Sequence, residues 1–379
     1  MIYNFFCKIL TLVVLFFGIN QNYQVFANDL PDYAPSTYQG IVLKIENEEH
    51  NDTLEELFQS EQIIQNLKIK ILTGKLKNEQ IKLQNFITNN PCFDIKLKQG
   101  DRILVDIDNI THDINLSAKD NSRILLSLFI VFSILLVSFY KKFSLKFLST
   151  ITIAGILIFF ALIPLIFFTY NPILWTLIIG IFLSSLIIFL INGQKGQSVC
   201  SAISTSIGLL LITFLITLIN HSSGILGIDT QENIILLGEF PKLNFTEIIT
   251  SSAILSSIGA LIYLSTTISN YIFMYFTPQD NYKEIFSSVL NFSKIPITNL
   301  FLVIITTIIG MLFPILLLSY QTNFLKFINF NRIFTELSTL LSILIILLIT
   351  IPITCLNCTI FMKRDILLKN FKNKGEKND

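Results

Sequence analysis

Charged side chains are scarce in this sequence. They make up 14% of its 379 residues, whereas 52% of the residues are hydrophobic. Soluble domains carry about 25% charged residues, so the composition excludes an ordinary soluble protein, and the shortage is concentrated after residue 123. The formal net charge is only +1, so the chain lacks the basic excess that would predict a nucleic-acid partner.

Cysteine is also scarce. The five cysteines are Cys7, Cys92, Cys200, Cys355 and Cys358. Only Cys92 falls in the portion predicted below to be exported, which excludes a disulfide framework there. Cys355 and Cys358 form a CxxC pair inside an apolar run, but no second pair completes a zinc site. We therefore interpret these two cysteines as small core residues.

Motifs for enzymatic chemistry are missing as well. No GxxxxGK[ST] sequence occurs, so the chain is not expected to hydrolyse nucleotides by itself. An intramembrane protease needs a serine–histidine pair or two aspartates at membrane depth, and His50, His112 and His221 all lie outside the predicted spans. We therefore predict that the protein is not an enzyme and has no cofactor.

Carboxylates are nearly absent from the predicted spans. The exception is Glu336, in the first turn of the last predicted span, where the positive helix N-terminus favours an acid. An ionisable residue at the centre of a membrane helix costs at least about 2.5 kcal/mol and usually marks proton or ion coupling. A proton-driven pump is therefore not favoured.

One acidic segment, DIDNITHD, contains Asp106, Asp108, His112 and Asp113, and His50 lies upstream of it. The segment lacks the glycine and the distal glutamate of a calcium loop, and neither histidine belongs to a zinc-protease signature. We interpret it as a solvated strand edge that holds no metal.

The N-terminus has the pattern of a secretion signal. Lys8 precedes the apolar run ILTLVVLFFGI, and Val25 and Ala27 occupy the small positions before Asn28. A positive charge, an apolar core of about 7–15 residues and a small-residue cleavage site are typical of a signal peptide. Residues 1–27 are therefore predicted to be a signal peptide, with a retained N-terminal anchor as the alternative. In both cases the segment that follows is exported.

Residues 29–118 are predicted to form a small all-β domain. The stretches YQGIVLKIEN, LKIKILTG, EQIKLQNF and FDIKLKQGDRILVDID alternate polar and apolar residues, the period-two pattern of half-buried strands. Turns are predicted at Thr73-Gly74 and at Gln99-Gly100-Asp101. Residues 48–66 are predicted to be helical or irregular. Four or five short strands indicate a small barrel or sandwich.

Residues 123–362 are predicted to form a transmembrane bundle, because apolar runs of about 20 residues cross a bilayer as helices. The predicted spans are 124–140, 148–169, 172–191, 198–219, 249–275, 297–319 and 334–361. Pro164 and Pro314 are expected to kink the second and the sixth span. The predicted fold class is an α-helical polytopic membrane protein with about seven transmembrane helices and a small N-terminal extracytoplasmic all-β domain.

The loop charges predict the orientation. Lys141, Lys142 and Lys146 follow the first span without an acid, and residues 363–379 form a basic tail. The loop after the fourth span contains four acids, Asp229, Glu232, Glu239 and Glu247. Because lysine and arginine accumulate on the cytoplasmic side of membrane proteins, we predict an N-terminal domain outside and a C-terminal tail inside.

Several short stretches resemble one family. They are KQGDRILVDI with Gly100–Val105, Arg123 before the first span, NGQKG at Asn192–Gly196, and IGALIY at Ile258–Tyr263. From about Tyr38 onward the chain resembles the YibE/F-like family of multipass bacterial membrane proteins. The resemblance implies a location in the bacterial cytoplasmic membrane, and it carries no established activity. It also implies acids after the G-A-L turn and near the end of that helix, where this chain has Ile262, Tyr263 and Met274.

A polar stripe runs along the predicted fifth span. Its members are Ser252, Ser256, Gly259, Tyr263, Thr266 and Asn270. Steps of three and four residues place them on one helix face. Small and hydroxyl residues allow close helix packing, which is one interpretation. The other is a hydrophilic path between helices, completed by Ser198, Ser201 and Thr205 of the fourth span and by Thr306 and Thr307 of the sixth.

We therefore predict a membrane scaffold or an envelope-associated accessory protein. Two alternatives stay open: a permease or channel that passes a small solute along the stripe, and an extracytoplasmic binding module tethered by the bundle. The predicted partners are the lipid bilayer and other membrane or envelope proteins, without nucleic acid.

Overall fold

The computed structural model describes residues 36–50, 63–74, 76–87, 94–108, 113–228 and 230–375. The predicted signal segment 1–27, Cys92, His112, Asp229 and residues 376–379 of the basic tail lie outside the described residues. The chain divides into two compact units, residues 1–145 and residues 146–379. The first unit carries a β-sheet and one long helix, and the second unit carries the remaining helices.

Five strands form one antiparallel sheet in the order β3-β2-β1-β4-β5. They are β1 (Ser36–His50), β2 (Ile63–Ile71), β3 (Gln80–Ile87), β4 (Arg102–Ile107) and β5 (Ile114–Lys119). On β2, Leu67, Ile69 and Ile71 are at most 1% exposed, and Ile103 and Val105 of β4 are fully buried. Each such side chain contributes about 1.5–3 kcal/mol when it leaves water, so the alternation predicted from the sequence forms the core of the all-β domain.

Both predicted turns depend on glycine. Gly74 has φ +77° and Gly100 has φ +89°, a region that glycine enters without the steric penalty of a Cβ atom. The backbone N–H of Gly100 donates to the carbonyl of Val42 over 2.8 Å. The second turn is therefore fastened to β1.

The predicted strand structure is wrong over 94–98, which the structure shows outside the strands. Side chains replace the ladder there: Asn85 Nδ2 donates to the Ile95 carbonyl over 2.8 Å and to Gln65 Oε1 over 3.1 Å. The strand β5 is not among the predicted strands, although its apolar residues Ile114 and Leu116 alternate with polar residues. Residues 63–66, predicted to be helical or irregular, belong to β2.

Seven helical segments of the described chain are long and apolar enough to cross a membrane. They are α1 (Ser122–Tyr140), α2 (Lys142–Leu157) continued through a π turn into α3 (Ile163–Thr169), α4 (Pro172–Asn192), α5 (Gly196–Ser223), α7 (Phe245–Tyr275), α8 (Tyr282–Leu316) and α10 (Asn331–Gly375). Two short helices lie between them, α6 (Gln231–Glu239) and α9 (Phe324–Ile328). The predicted polytopic helical class is confirmed.

Some predicted boundaries are wrong because helices extend beyond their most apolar stretch. α8 begins at Tyr282, well before the predicted 297, and its amphipathic first half buries Ile285 and Val289. α5 extends to Ser223, so His221 lies in the last turn of that helix rather than outside the span, with an exposed side chain. A helix needs one apolar face for packing, not apolar residues all round.

The two prolines predicted to kink spans lie next to different kinds of irregular helical turn. The π turn Ile158–Leu162 directly precedes α3, which contains Pro164. Proline lacks the N–H that a helix needs, and an extra residue in the turn accommodates such a gap. Pro314 lies two residues before the end of α8, where a 3-10 turn, Leu317–Gln321, follows.

Helices α5, α7 and α10 form the centre of the second unit. Their buried side chains make one hydrophobic cluster. Within the most apolar 18 residues of each helix, 61% of the residues are buried in α7 and 56% in α10, whereas 6% are buried in α8. α4 packs on α5 and α7, and α3 and the π turn contact α4.

Candidate functional site

The most polar interior surface of the bundle lies where α5, α7 and α10 meet. Its fully or nearly fully buried polar residues are Ser198, Ser201, Ser204, Thr205, Ser257, Ser265, Ser269, Thr350, Thr354 and Thr359. Many recur at steps of four, which places them on a common helix face. We call this set, together with Asn357 of α10, the polar core.

Hydrogen bonds of the polar core join the three helices. The hydroxyls of Thr205 and Ser265 are bonded over 2.7 Å, which ties α5 to α7. Asn357 Nδ2 donates to Ser204 Oγ over 3.0 Å, which ties α10 to α5. Ser269 Oγ donates to the carbonyl of Gln197 over 2.8 Å, at the start of α5. A polar group in lipid must find a partner within the protein, and these groups find theirs in one another.

Glycines of α5 allow the close approach that these bonds need. A Cβ atom at Gly208 would lie 2.7 Å from Leu261 Cδ2, and one at Gly196 would lie 2.7 Å from Phe361 Cε1. Both distances are shorter than two carbon atoms tolerate. Small residues at such points are typical of membrane helices that pack tightly.

Three cysteines lie within the same interface. Cys200, Cys355 and Cys358 are at most 1% exposed, which agrees with their interpretation as core residues. Ser269 Oγ lies 3.3 Å from Cys358 Sγ. Among the described residues, no group of three histidine, cysteine or acidic side chains is arranged to hold a metal ion. The cysteines contribute packing and weak hydrogen bonds.

The predicted stripe of α7 lies on a different face. Ser252 and Ser256 are exposed at the surface of the bundle, and their hydroxyls donate to the carbonyls of Ile249 and Ala253 in their own helix. Tyr263 is 47% exposed. These members of the stripe therefore face outward, with Gly259 between them.

The last two members of the stripe are half-buried. Thr266 Oγ1 and Asn270 Oδ1 are buried atoms that have no hydrogen-bond partner in the described part of the chain. Ser198 Oγ of the polar core has none there either. A buried polar atom without a partner costs about 1–3 kcal/mol, so each of the three is a candidate contact for something beyond the chain.

Four other residues predicted to complete a path are not brought to the stripe. Ser201 and Thr205 meet Ser265, which lies on the neighbouring face of α7. Thr306 and Thr307 are exposed on α8, and their hydroxyls donate within α8. Sequence reasoning named Ser198, Ser201 and Thr205 of the polar core but missed its members on α7, although Ser265 and Ser269 are also spaced by four residues.

The acidic segment of the β domain has ordinary strand contacts. Asp106 accepts a hydrogen bond from Thr37 Oγ1 over 2.6 Å, across the β1–β4 pair. The backbone N–H of Asp108 donates to the carbonyl of Asp113 over 3.0 Å. Both contacts belong to strand pairing.

The position of Glu336 differs from the prediction. α10 begins at Asn331, so Glu336 lies beyond the first turn and no acid occupies that turn. The helix N-terminus acts mainly within the first turn. The proposed reason for this acid, a favourable helix end, therefore does not hold.

Two carboxyl groups outside the spans have perturbed acidity with structural causes. The hydrogen bond from Lys119 Nζ, 2.9 Å long, lowers the pKa of Asp101. At the start of α6, the backbone N–H of Glu232 and the Thr230 hydroxyl lower the pKa of Glu232. Both groups lie in a turn or at a helix end, where hydrogen bonding favours the charged form.

Two family models match the sequence. The model described as YibE/F-like protein matches residues 128–364, and the model described as YibE/F family N-terminal domain matches residues 35–120. The comparison with curated proteins and the comparison with solved structures gave no match.

Proposed function

The chain belongs to the YibE/F-like family, and we propose that this multipass membrane protein is a scaffold or accessory protein without catalytic activity. In this role the helical bundle anchors the β domain, which faces the outside of a bacterial cytoplasmic membrane, while the C-terminal tail lies inside. Its partners are then other membrane or envelope proteins, met through the outer surfaces of the two units.

One observation carries the proposal: several polar groups at the centre of the bundle join helices to one another, while Thr350, Thr354 and Thr359 donate to carbonyls of their own helix. Thr205 with Ser265, and Asn357 with Ser204, form bonds between helices in a core that is otherwise apolar. Bonds of this kind stabilise a rigid arrangement. A conduit, in contrast, needs polar groups left open to its contents.

A second candidate function, the passage of a small polar solute, has one observation in its favour. Thr266 Oγ1, Asn270 Oδ1 and Ser198 Oγ are buried and lack partners among the described residues. Polar atoms of that kind line the paths of permeases. Thr266 and Asn270 lie in the C-terminal third of α7, and Ser198 lies in the first turn of α5.

Water access to α7 separates the two candidates. A thiol reacts with a hydrophilic maleimide as the thiolate, which forms where water reaches it. We expect Thr266→Cys, in protein held in lipid nanodiscs, to react as slowly as Ile254→Cys, a control at a fully buried position of the same helix. Lys195→Cys, at an exposed helix end, supplies the fast reference. The unchanged protein supplies the background rate of the native cysteines.

A rate for Thr266→Cys close to that of Lys195→Cys would contradict the scaffold proposal and favour the path.

The orientation has its own test. Reporter fusions after Leu116 and near His221 should signal from outside, and fusions near Lys142 and Lys195 from inside. A cytoplasmic signal after Leu116 would overturn the proposed orientation.

A further inference from the structure

A groove opens between α2, α4 and α7 in the second unit. Its volume is about 460 Å³, within the range of about 300–1,000 Å³ typical of small-molecule sites. The lining residues come from three helices: Phe147, Thr150 and Ile158 of α2 and the π turn, Leu183, Ile187 and Ile191 of α4, and Leu255, Ile258, Gly259 and Ile262 of α7.

The wall of the groove is apolar. Its one hydroxyl, on Thr150, already donates to the carbonyl of Lys146 over 2.7 Å. The groove is unfilled beside Gly259, because no atom lies within 4 Å of the place where a Cβ atom would stand. A polar solute would find no hydrogen-bonding group here, so the wall fits a hydrocarbon chain.

The longest wall of the groove spans about one leaflet of a bilayer. From Phe147 to Ile158 the chain advances 11 residues, which corresponds to roughly 16 Å along a helix. The lining residues of α4 and of α7 cover shorter stretches, roughly 12 Å and roughly 10 Å. Half of the hydrocarbon core of a bilayer is about 15 Å thick. The groove therefore has room for a lipid acyl chain that lies along the membrane normal.

The charges at one end of the groove are positive. Lys146 directly precedes Phe147, and Lys195 follows Ile191 in the turn after α4; both lysines are exposed. No aspartate or glutamate occurs between Asp120 and Asp229 in the sequence. Lysines near a membrane surface attract anionic lipids. The positive lysines at one end and the apolar wall together fit a ligand with a negative head and an apolar tail.

We propose that the groove is a binding site for an anionic phospholipid. One acyl chain lies between α2, α4 and α7, and the phosphate pairs with Lys146 and Lys195. Gly259, a member of the polar stripe, then serves to leave space for the chain. The site does not depend on whether the protein is a scaffold or a permease.

The test measures lipid binding to the full-length protein in detergent. Native mass spectrometry with phosphatidylglycerol and with phosphatidylcholine of the same chains gives the two dissociation constants. We expect tighter binding of phosphatidylglycerol. Gly259→Leu fills the groove and should weaken binding of both lipids by at least about tenfold. Gly310→Leu, at an open glycine of α8 outside the groove, should leave both unchanged.

The lysines supply an independent variant at exposed positions. Lys146→Gln with Lys195→Gln should lower the preference for phosphatidylglycerol by about fivefold for each lysine removed, because the choline of phosphatidylcholine already offsets the charge of its phosphate and its affinity falls less. Inorganic phosphate should not displace the lipid. Equal affinity of the wild-type protein for the two lipids, or an unchanged preference in the lysine variant, would overturn the proposal whether or not Gly259→Leu folds.

Discussion

Replacement of Gly208 by alanine tests how closely α5 and α7 pack. The new Cβ atom would lie 2.7 Å from Leu261 Cδ2 and 3.4 Å from Thr350 Oγ1. Leu261 is 1% exposed, so its side chain has little space into which to move. Insertion of an extra carbon into a filled core costs about 1–3 kcal/mol.

A second effect has the opposite sign and needs a control. Alanine is favoured over glycine in a helix by about 1 kcal/mol, which offsets part of the clash. Gly259→Ala is the matched variant, because that glycine lies inside α7, which contains no proline, with no atom within 4 Å of its Cβ position. The helix term is similar for both variants. Gly208→Ala should therefore be less stable than Gly259→Ala by about 1–3 kcal/mol.

The free energy of unfolding of each variant is measurable in micelles, by titration with a denaturing detergent and detection of helix content. A difference below about 0.5 kcal/mol, the scatter of neutral substitutions, would refute the close contact of Gly208 with Leu261. It would also remove the physical argument that α5, α7 and α10 form a rigid centre.

Two further predictions concern hydrogen bonds. In a double-mutant cycle of Thr205→Val and Ser265→Ala, measured by the same unfolding assay, we expect a coupling of about 0.6 kcal/mol; no coupling would refute the bond between α5 and α7. In the β domain, the lowered pKa of Asp101 means that its pairing with Lys119 stabilises the fold above the ordinary aspartate pKa of 3.8 and stops doing so as the pH falls through the lowered value. Asp101→Asn should therefore lower the thermal midpoint at pH 6, and the gap to wild type should close in acid; a constant gap contradicts the pairing.

The residues at which sequence reasoning succeeded are those where one local pattern determines the structure. Leu67, Ile69 and Ile71 alternate with polar residues, and a strand with one buried face admits no other register. The spans follow from length alone, because a helix rises 1.5 Å per residue and a bilayer requires about 20 apolar residues. Gly74 and Gly100 mark turns because other residues are strained there.

The sequence alone does not indicate which faces of the helices are buried, because contacts between distant parts of the chain determine this. The period of α7 places Ser252, Ser256 and Tyr263 on one face, and Ser257, Ser265 and Ser269 on others, without indicating which face meets another helix. Hydroxyl groups leave that choice open because they satisfy themselves on carbonyls of their own helix, as Ser252 and Ser256 do at the surface. Only the packing of α5 and α10 against α7 buries Ser265 and Ser269. The groove beside Gly259 likewise exists only because residues of α2, α4 and α7 line the same space, and no stretch of one helix contains that information.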